Sequence, residues 1–174
     1  MVKIIVGVMG PGEQADSALQ ASAYRLGQAI AEAGWVLLTG GRNVGVMESA
    51  SQGARASGGL TVGILPGCST VNMSSAVDIP IITGLGDARN AINVLSSQVV
   101  VALGLGPGTA SEIALALKAQ KPLILLQPDH PTLAFWQRLS ATPLTTADTV
   151  DAVIATIAQW VAGGTISPNS PTSH

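Results

Sequence analysis

Glycines, two arginines and a few polar side chains are concentrated in four short segments of this 174-residue chain. The segments are 9–12, 39–47, 84–90 and 104–112. Each follows an apolar run that is typical of a buried β-strand. Glycines let the backbone approach a ligand closely, and free N–H groups at a helix start attract anions. Together the segments predict a site for a phosphate-bearing small molecule.

Segments 9–12 and 39–47 follow the first two apolar runs. The first contains two glycines around a proline, and its alternative role is a tight turn only. In the second, Arg42 offers a guanidinium fork that suits phosphate, although it could also be a solvated loop residue. Asn43 is also a good N-cap for the helix that follows. The candidate binding residues of these two segments are Gly10, Gly40, Gly41, Arg42, Asn43, Gly45 and Met47.

The segment 84–90 carries an arginine at an unusual place. Asp87 is the expected N-cap of a helix, so Arg89 lies in the first helical turn. A cation is unfavourable there because the helix dipole is positive at that end. An anion brought to Arg89 resolves the conflict, and the alternative is a salt bridge to Asp87 or another carboxylate. Asn90 is the second candidate binding residue of this segment.

The segment 104–112 has the densest phosphate-binding pattern in the chain, with three glycines and a proline before a helix. It is neither the dinucleotide fingerprint nor a P-loop. Thr109 and Glu112 match a capping box, which is one interpretation of Glu112. The other is a carboxylate that faces the ligand. The candidates are Gly104, Gly106, Pro107, Gly108, Thr109 and Glu112.

Apolar runs alternate with Ala-rich helical segments along the chain. The predicted strands are 3–9, 35–39, 61–65, 78–82, 98–103 and 123–127. The predicted helices are 17–33, 44–57, 88–96, 109–119, 132–139 and 148–162. Near-continuous apolar strands indicate a parallel sheet that is buried on both faces. We therefore predict one α/β, Rossmann-like domain over 1–162, with a mostly parallel sheet of 6–7 strands between two helical layers. A disordered tail is expected over 163–174.

Composition excludes several classes of function. A net charge of -2 without a Lys/Arg run argues against nucleic-acid binding. Charged residues make up 10% of the chain, against roughly 25% in ordinary domains, so we expect a homo-oligomer that covers apolar surface. One cysteine and two histidines predict neither a disulfide nor a metal site. No apolar run reaches the roughly 20 residues that span a bilayer, and without a secretory signal the expected location is the cytoplasm.

The run Gly-Gly-Arg-Asn-Val-Gly-Val-Met at 40–47, paired with Gly-Pro-Gly-Thr-Ala-Ser-Glu at 106–112, resembles the superfamily often labelled lysine decarboxylase-like. The resemblance extends over residues 2–160. Two well-defined branches are the Lonely Guy phosphoribohydrolases and the molybdenum cofactor carrier proteins. Decarboxylation is not expected, since no lysine is placed to hold a pyridoxal aldimine.

The hydrolase branch carries Pro-Gly-Gly-x-Gly-Thr-x-x-Glu after an Arg-Lys pair. Its last glycine, its threonine, its glutamate and its arginine fall on Gly108, Thr109, Glu112 and Arg89. The departures are Gly104 for the proline, Leu105 for a glycine and Asn90 for the lysine. These departures weaken the expectation of hydrolase activity.

The carrier branch is more similar, in length, in the run Asp-Ala-Arg-Asn at 87–90 and in Gly-Pro-Gly-Thr followed by Ser-Glu. This resemblance implies a homodimer or homotetramer that holds the molybdenum cofactor, a pterin with a terminal phosphate, as cargo. It implies delivery to molybdoenzymes without transformation, and therefore a carrier rather than an enzyme.

Two other functions remain open. One is a phosphoribohydrolase that cleaves the base–ribose N-glycosidic bond of a nucleoside 5'-monophosphate. In it, Arg89 would stabilise the phosphoribosyl group and Glu112 would assist C–N cleavage. The other is a nucleotide-sensing or DNA-processing module, which the absence of a basic run and of a second domain disfavours.

Overall fold

The computed structural model describes residues 3–166 and places them in one seven-stranded sheet, in the order β4-β3-β2-β1-β5-β6-β7. All neighbouring strands are parallel. The strands are β1 Ile5–Met9, β2 Val36–Thr39, β3 Thr61–Leu65, β4 Ile79–Ile82, β5 Val99–Leu103, β6 Leu123–Leu126 and β7 Thr145–Ala147. The helices are α1 Ser17–Glu32, α2 Gly45–Ala56, α3 Asn90–Ser96, α4 Pro107–Lys118, α5 His130–Leu139 and α6 Val150–Ala162. The predicted α/β Rossmann-like fold is confirmed.

The sheet separates two apolar layers. Successive side chains of a strand point to opposite faces, so Val8 lies in one layer and Met9 in the other. Helices α1, α2 and α6 cover the first layer, with Leu26 and Ile157 fully buried. Helices α3, α4 and α5 cover the second, which includes Ile113. Because both faces are covered, the central strands have the continuous apolar sequences that the prediction was based on.

The edge strand β4 departs from the prediction that every strand is buried on both faces. All four of its side chains are exposed, and Ile79, Ile81 and Ile82 are 43–49% accessible. The strand pairs with β3 alone, so only one of its edges is covered. An apolar sequence therefore identified the strand but not its environment.

The opposite edge strand β7 was not among the predicted strands. It has three residues, Thr-Thr-Ala, and this composition carries no apolar run.

The starts of helices α5 and α6 also differ from the prediction. Helix α5 begins two residues earlier, where Asp129 accepts a hydrogen bond from the amide of Thr132 at 2.7 Å. Helix α6 begins two residues later, because Thr149 is its N-cap.

The predicted tail 163–174 is described only over 163–166, and the rest of that prediction lies outside the described residues. Ile166 is 3% accessible and packs in the first apolar layer. Its amide donates to the carbonyl of Trp160 at 3.1 Å. Within residues 3–166, no helix has the length and apolar character needed to cross a membrane.

Candidate functional site

A polar cleft of about 160 Å³ opens at the carboxyl edge of the sheet. Its walls come from the loops that follow β1, β2, β4 and β5. The order in which successive strands are added to the sheet reverses beside β1, since β2 to β4 lie on one side of it and β5 to β7 on the other. Ligands of open α/β sheets bind at this kind of switch point. The fold thus brings together segments that are far apart in sequence.

Most of the predicted binding residues meet in this cleft. Those that line it are Gly10, Gly40, Arg42, Met47, Arg89, Asn90, Gly106, Pro107, Gly108, Thr109 and Glu112. Four do not line it, namely Gly41, Asn43, Gly45 and Gly104.

Two of these glycines contact protein rather than open space. Gly41 has φ +73°, and a Cβ there would lie 2.9 Å from the Cα of Gly63. Gly45 has φ +56°, and a Cβ there would overlap the carbonyl oxygen of Gly12. Both positions need glycine for backbone conformation and for close packing. Their role is to fold the loop.

Asn43 and Gly104 are also placed outside the cleft. Asn43 is exposed, and its amide donates to the carbonyl of Asn72 at 2.9 Å. It is not the predicted N-cap of α2, since that position is Val44, which makes no side-chain capping bond. Gly104 has φ +68° and packs against the side chain of Leu19.

Arg89 lies deep in the cleft and is 8% accessible. It ends a 3-10 turn, Gly86–Arg89, that leads directly into α3. The prediction that Asp87 caps this helix is wrong, because Asp87 lies inside the 3-10 turn and makes no capping bond. Asp87 lines the cleft instead. Burial lowers the pKa of Arg89, while the carboxylates of Glu112 and Asp87 oppose that shift.

Gly40 makes room for the Arg89 guanidinium. A Cβ at this position would lie 2.7 Å from Nη2 and 2.8 Å from Cζ of Arg89, and closer still to Nη1. The guanidinium therefore lies against the backbone of the loop after β2. Its Nε is buried without a hydrogen-bond partner in the described residues. An unsatisfied charged donor in a cleft indicates a missing acceptor, which an anionic ligand would supply.

Glu112 is 6% accessible and points across to α3. Its Oε1 accepts a hydrogen bond from Asn93 Nδ2 at 2.7 Å and lies 3.8 Å from Arg89 Nη1. The predicted capping box with Thr109 is wrong, because the N-cap of α4 is Gly106. Burial raises the pKa of Glu112, against smaller opposing effects of Asn93 and Arg89. The salt bridge foreseen for Arg89 therefore exists with Glu112 rather than with Asp87.

The start of α4 presents donors to the cleft. Pro107 occupies the first turn, and the first intrahelical bond runs from the amide of Ala110 to the carbonyl of Gly106 at 2.8 Å. A Cβ at Gly108 would have no neighbour within 4 Å. Thr109 Oγ1 is buried and has no hydrogen-bond partner in the described part of the chain. Open backbone, a helix dipole and an unpaired hydroxyl are features that favour an anion at this corner.

Sequence reasoning missed three polar residues of the site. Glu13 lines the cleft, and its Oε1 lies 2.8 Å from Arg42 Nη2. Gln14 lies beside it. Asn93 holds Glu112, and its position one helical turn after Arg89 is the signal that could have identified it. Glu13 gave no such signal, since a carboxylate argues against a phosphate site.

Among residues 3–166 there is no group of three or more His, Cys, Asp or Glu side chains that could hold a metal. Asn90 Nδ2 donates to Ser111 Oγ at 2.7 Å and joins α3 to α4 across the back of the cleft.

The model of the SLOG cluster4 family matches residues 3–154, which include every wall of the cleft. The chain belongs to this family. The molybdenum cofactor binding protein of the phototrophic bacterium Rippkaea orientalis is 58% identical, with a TM-score of 0.90 over 92% of this chain and 99% of that one. The predicted similarity to the carrier branch of the superfamily is therefore confirmed.

Two further relatives are similar to this chain over most of its length. The molybdenum cofactor carrier protein of Chlamydomonas reinhardtii is 51% identical, with a TM-score of 0.87 over 92% of this chain and 99% of that one. A protein of Archaeoglobus fulgidus is 44% identical over 138 residues, which are 79% of this chain and 88% of its own length.

Proposed function

We propose that this protein binds the molybdenum cofactor in the cleft, protects it and delivers it to molybdoenzymes without transforming it. The observation that carries the proposal is the likeness, at 58% and 51% identity over 92% of the chain, to two proteins described as binding or carrying this cofactor. The donors that converge in the cleft agree with it, since the cofactor ends in a phosphate.

The phosphate end of the cofactor fits the corner between α4 and Arg89. Arg89, Thr109 and the first residues of α4 all line the cleft, and Thr109 Oγ1 and Arg89 Nε have no hydrogen-bond partner among the described residues. These donors stabilise a doubly charged group by charge-assisted hydrogen bonds. The cleft volume of about 160 Å³ is below the roughly 300 Å³ of sites that enclose a whole drug-sized ligand. We therefore place the phosphate inside and most of the pterin at the mouth, beside Arg42.

A carrier must release its cargo, and the cleft supports reversible binding. The single cysteine, Cys68, is exposed and is not among the cleft residues, so no protein thiolate competes for the metal of the cofactor there. Binding through hydrogen bonds and ion pairs leaves the cofactor free to dissociate. We place this delivery in the cytoplasm, the compartment expected from the sequence.

The hydrolase alternative is less favoured by the state of Glu112. A hydrolase that cleaves an N-glycosidic bond needs an ionised carboxylate to stabilise positive charge on the ribosyl group. Burial raises the pKa of Glu112, so desolvation works against the charged form that this step requires, with smaller opposing effects of Asn93 and Arg89. Its Oε1 already accepts from Asn93.

A cofactor-retention assay tests the proposal. The purified protein is loaded anaerobically with molybdenum cofactor, desalted, and assayed for retained pterin by fluorescence after oxidation. Arg89→Ala should lower the affinity about 10- to 100-fold, the effect of removing hydrogen bonds to a charged group. Arg138→Ala is the matched control, since Arg138 ends α5 and does not line the cleft.

Transfer of the loaded cofactor to a molybdoenzyme apoprotein provides the second readout. Retention by the wild type no higher than by an unrelated protein of equal size would contradict the proposal. Release of free base from adenosine monophosphate, lost in Glu112→Ala, would instead favour the hydrolase.

We further propose that the protein is a homodimer or homotetramer and that β4 lies in an interface between copies. The strand leaves three isoleucines exposed at the sheet edge. Exposed apolar edge strands promote association unless they are covered. The low charge content points the same way. Light scattering at micromolar concentration should give a multiple of 17.5 kDa, and Ile81→Lys should shift the mass toward the monomer. A monomeric wild type would refute this.

A further inference from the structure

Both arginines that line the cleft face a carboxylate, but the two pairs differ in accessibility. Arg89 and Glu112 are 10% and 8% accessible in their side chains, and 3.8 Å separates Nη1 from Oε1. Arg42 and Glu13 are 37% and 64% accessible, and 2.8 Å separates Nη2 from Oε1. The inner pair is enclosed by protein, whereas the outer pair meets water at the mouth of the cleft.

The backbone on either side of the outer pair is held in place. Arg42 forms an antiparallel bridge with Met73, and the next amide donates to the carbonyl of Asn72. On the other side, the amide of Ala15 donates to the carbonyl of Gly12 at 3.1 Å. Side-chain rotation alone can therefore make or break the contact between Arg42 and Glu13.

An anion in the cleft would meet both guanidinium groups. Both arginines line the cleft. Burial is the main cause that lowers the pKa of Arg89, and the charge of Arg42 lowers it a little further, so the two cations lie within electrostatic reach of each other. A phosphate between them relieves this repulsion. An ion pair as exposed as that of Arg42 with Glu13 contributes little stability and exchanges readily.

We propose that Glu13 is a built-in competitor for the anionic group of the ligand. It occupies Arg42 before the ligand enters, gives way when the phosphate arrives, and returns when the ligand leaves. Glu13 thereby lowers affinity and speeds release, which suits a protein that must hand over its cargo. The identity of the ligand rests on the proposed function, whereas the competition at Arg42 does not.

The test compares the wild type with Glu13→Gln, Arg42→Ala and the double variant. Each is titrated with molybdenum cofactor and, separately, with inorganic pyrophosphate. Glu13→Gln should bind both probes roughly two- to five-fold more tightly, with the gain in a slower dissociation rate. In the Arg42→Ala background the same substitution should give a clearly smaller gain, since only the repulsion between the carboxylate and the anion is then removed. The gain should shrink at 1 M salt, because screening weakens exposed ion pairs.

Glu32→Gln is the matched control, since it removes the same charge from the end of α1, away from the cleft. It should leave both affinities unchanged. Equal or weaker binding by Glu13→Gln would overturn the competition, as would a gain of the same size in the Arg42→Ala background. If the wild type binds pyrophosphate but retains no cofactor, the proposed function fails while the competition is still measured. If it binds neither probe, both proposals fail.

Discussion

Segments 39–47 and 104–112 each contain three glycines, and both lead from a strand into a helix. In the first, Gly41 and Gly45 have positive φ and touch backbone, and Gly40 accommodates the guanidinium of Arg89. In the second, Gly108 faces open space at the start of α4. The first loop uses its glycines to approach its own protein, whereas the second does so at Gly104 and leaves open space at Gly108. The glycine content of a loop therefore predicts where another group comes close to its backbone, but not whether that group is protein or ligand.

Gly45→Ala should have the largest effect, because it tests the glycine that contacts backbone rather than open space. An alanine there must adopt φ +56° and overlap the Gly12 carbonyl, so we expect a loss of roughly 2–5 kcal/mol in the free energy of unfolding. Urea denaturation measures it. Gly34→Ala is the control, since Gly34 has φ +76° but no neighbour within 4 Å, and it should lose only about 1–2 kcal/mol. Equal losses would show that packing at Gly45 contributes nothing.

Gly40→Ala should affect binding more than folding. The new methyl group displaces the Arg89 guanidinium, whose flexible side chain can move without unfolding the loop. We expect anion affinity to fall about 10- to 100-fold, as for the loss of hydrogen bonds to a charged group. Pyrophosphate titration measures the loss. A variant that binds normally would place Arg89 outside the binding interaction.

Gly108→Ala, in contrast to Gly45→Ala, should weaken anion binding while leaving stability almost unchanged. Nothing lies within 4 Å of the added methyl group, so stability should stay within about 0.5 kcal/mol of the wild type. The methyl group fills the space where an anion meets the helix start, so affinity should drop roughly five-fold. The same two assays apply. A large loss of stability would mean that both loops use glycine for packing.

The smallest expected effect is on the pH dependence of stability, which should differ in sign between Glu112 and Glu13, the carboxylates that face the two arginines. Burial raises the pKa of Glu112 above the value of about 4.3 that it has in the unfolded chain. The contribution of this carboxyl group to the free energy of unfolding is therefore fully present below pH about 4.3 and is lost as the pH rises through the folded pKa. Glu112→Gln should therefore gain stability relative to the wild type as pH rises.

Glu13 should show the reverse. A hydrogen bond to its own backbone, followed by Arg42, lowers its pKa, so the contribution is present above pH about 4.3 and is lost in acid. Above that pH, Glu13→Gln should be slightly less stable to unfolding than the wild type. This difference in the free energy of unfolding should disappear as the pH falls. Urea denaturation from pH 3 to 8 measures both trends. Slopes of the same sign would contradict this assignment.

Much of the fold was predictable because each central strand carries a near-continuous apolar run. The edge strands were not, since β7 has no such run and β4 has one that stays exposed. The position of the cleft could be predicted from the rule that ligands of parallel sheets bind at the carboxyl ends of the strands. The individual roles of Asn43, Asp87 and Glu112 did not follow, because capping depends on backbone geometry at one residue. Glu13 could not be found, since its partner is contributed by a different loop.

The four walls of the cleft come from four separate loops, so local unfolding of any one of them, including the loop after the edge strand β4, disassembles it. Ligand that binds only the folded chain adds about 2.7 kcal/mol of stability at 100 times Kd, which lowers the unfolded fraction about a hundredfold. Proteases act on unfolded chains, so a loaded molecule should outlive one without cargo. The cellular lifetime of the protein then becomes a record of how much cargo is available to it.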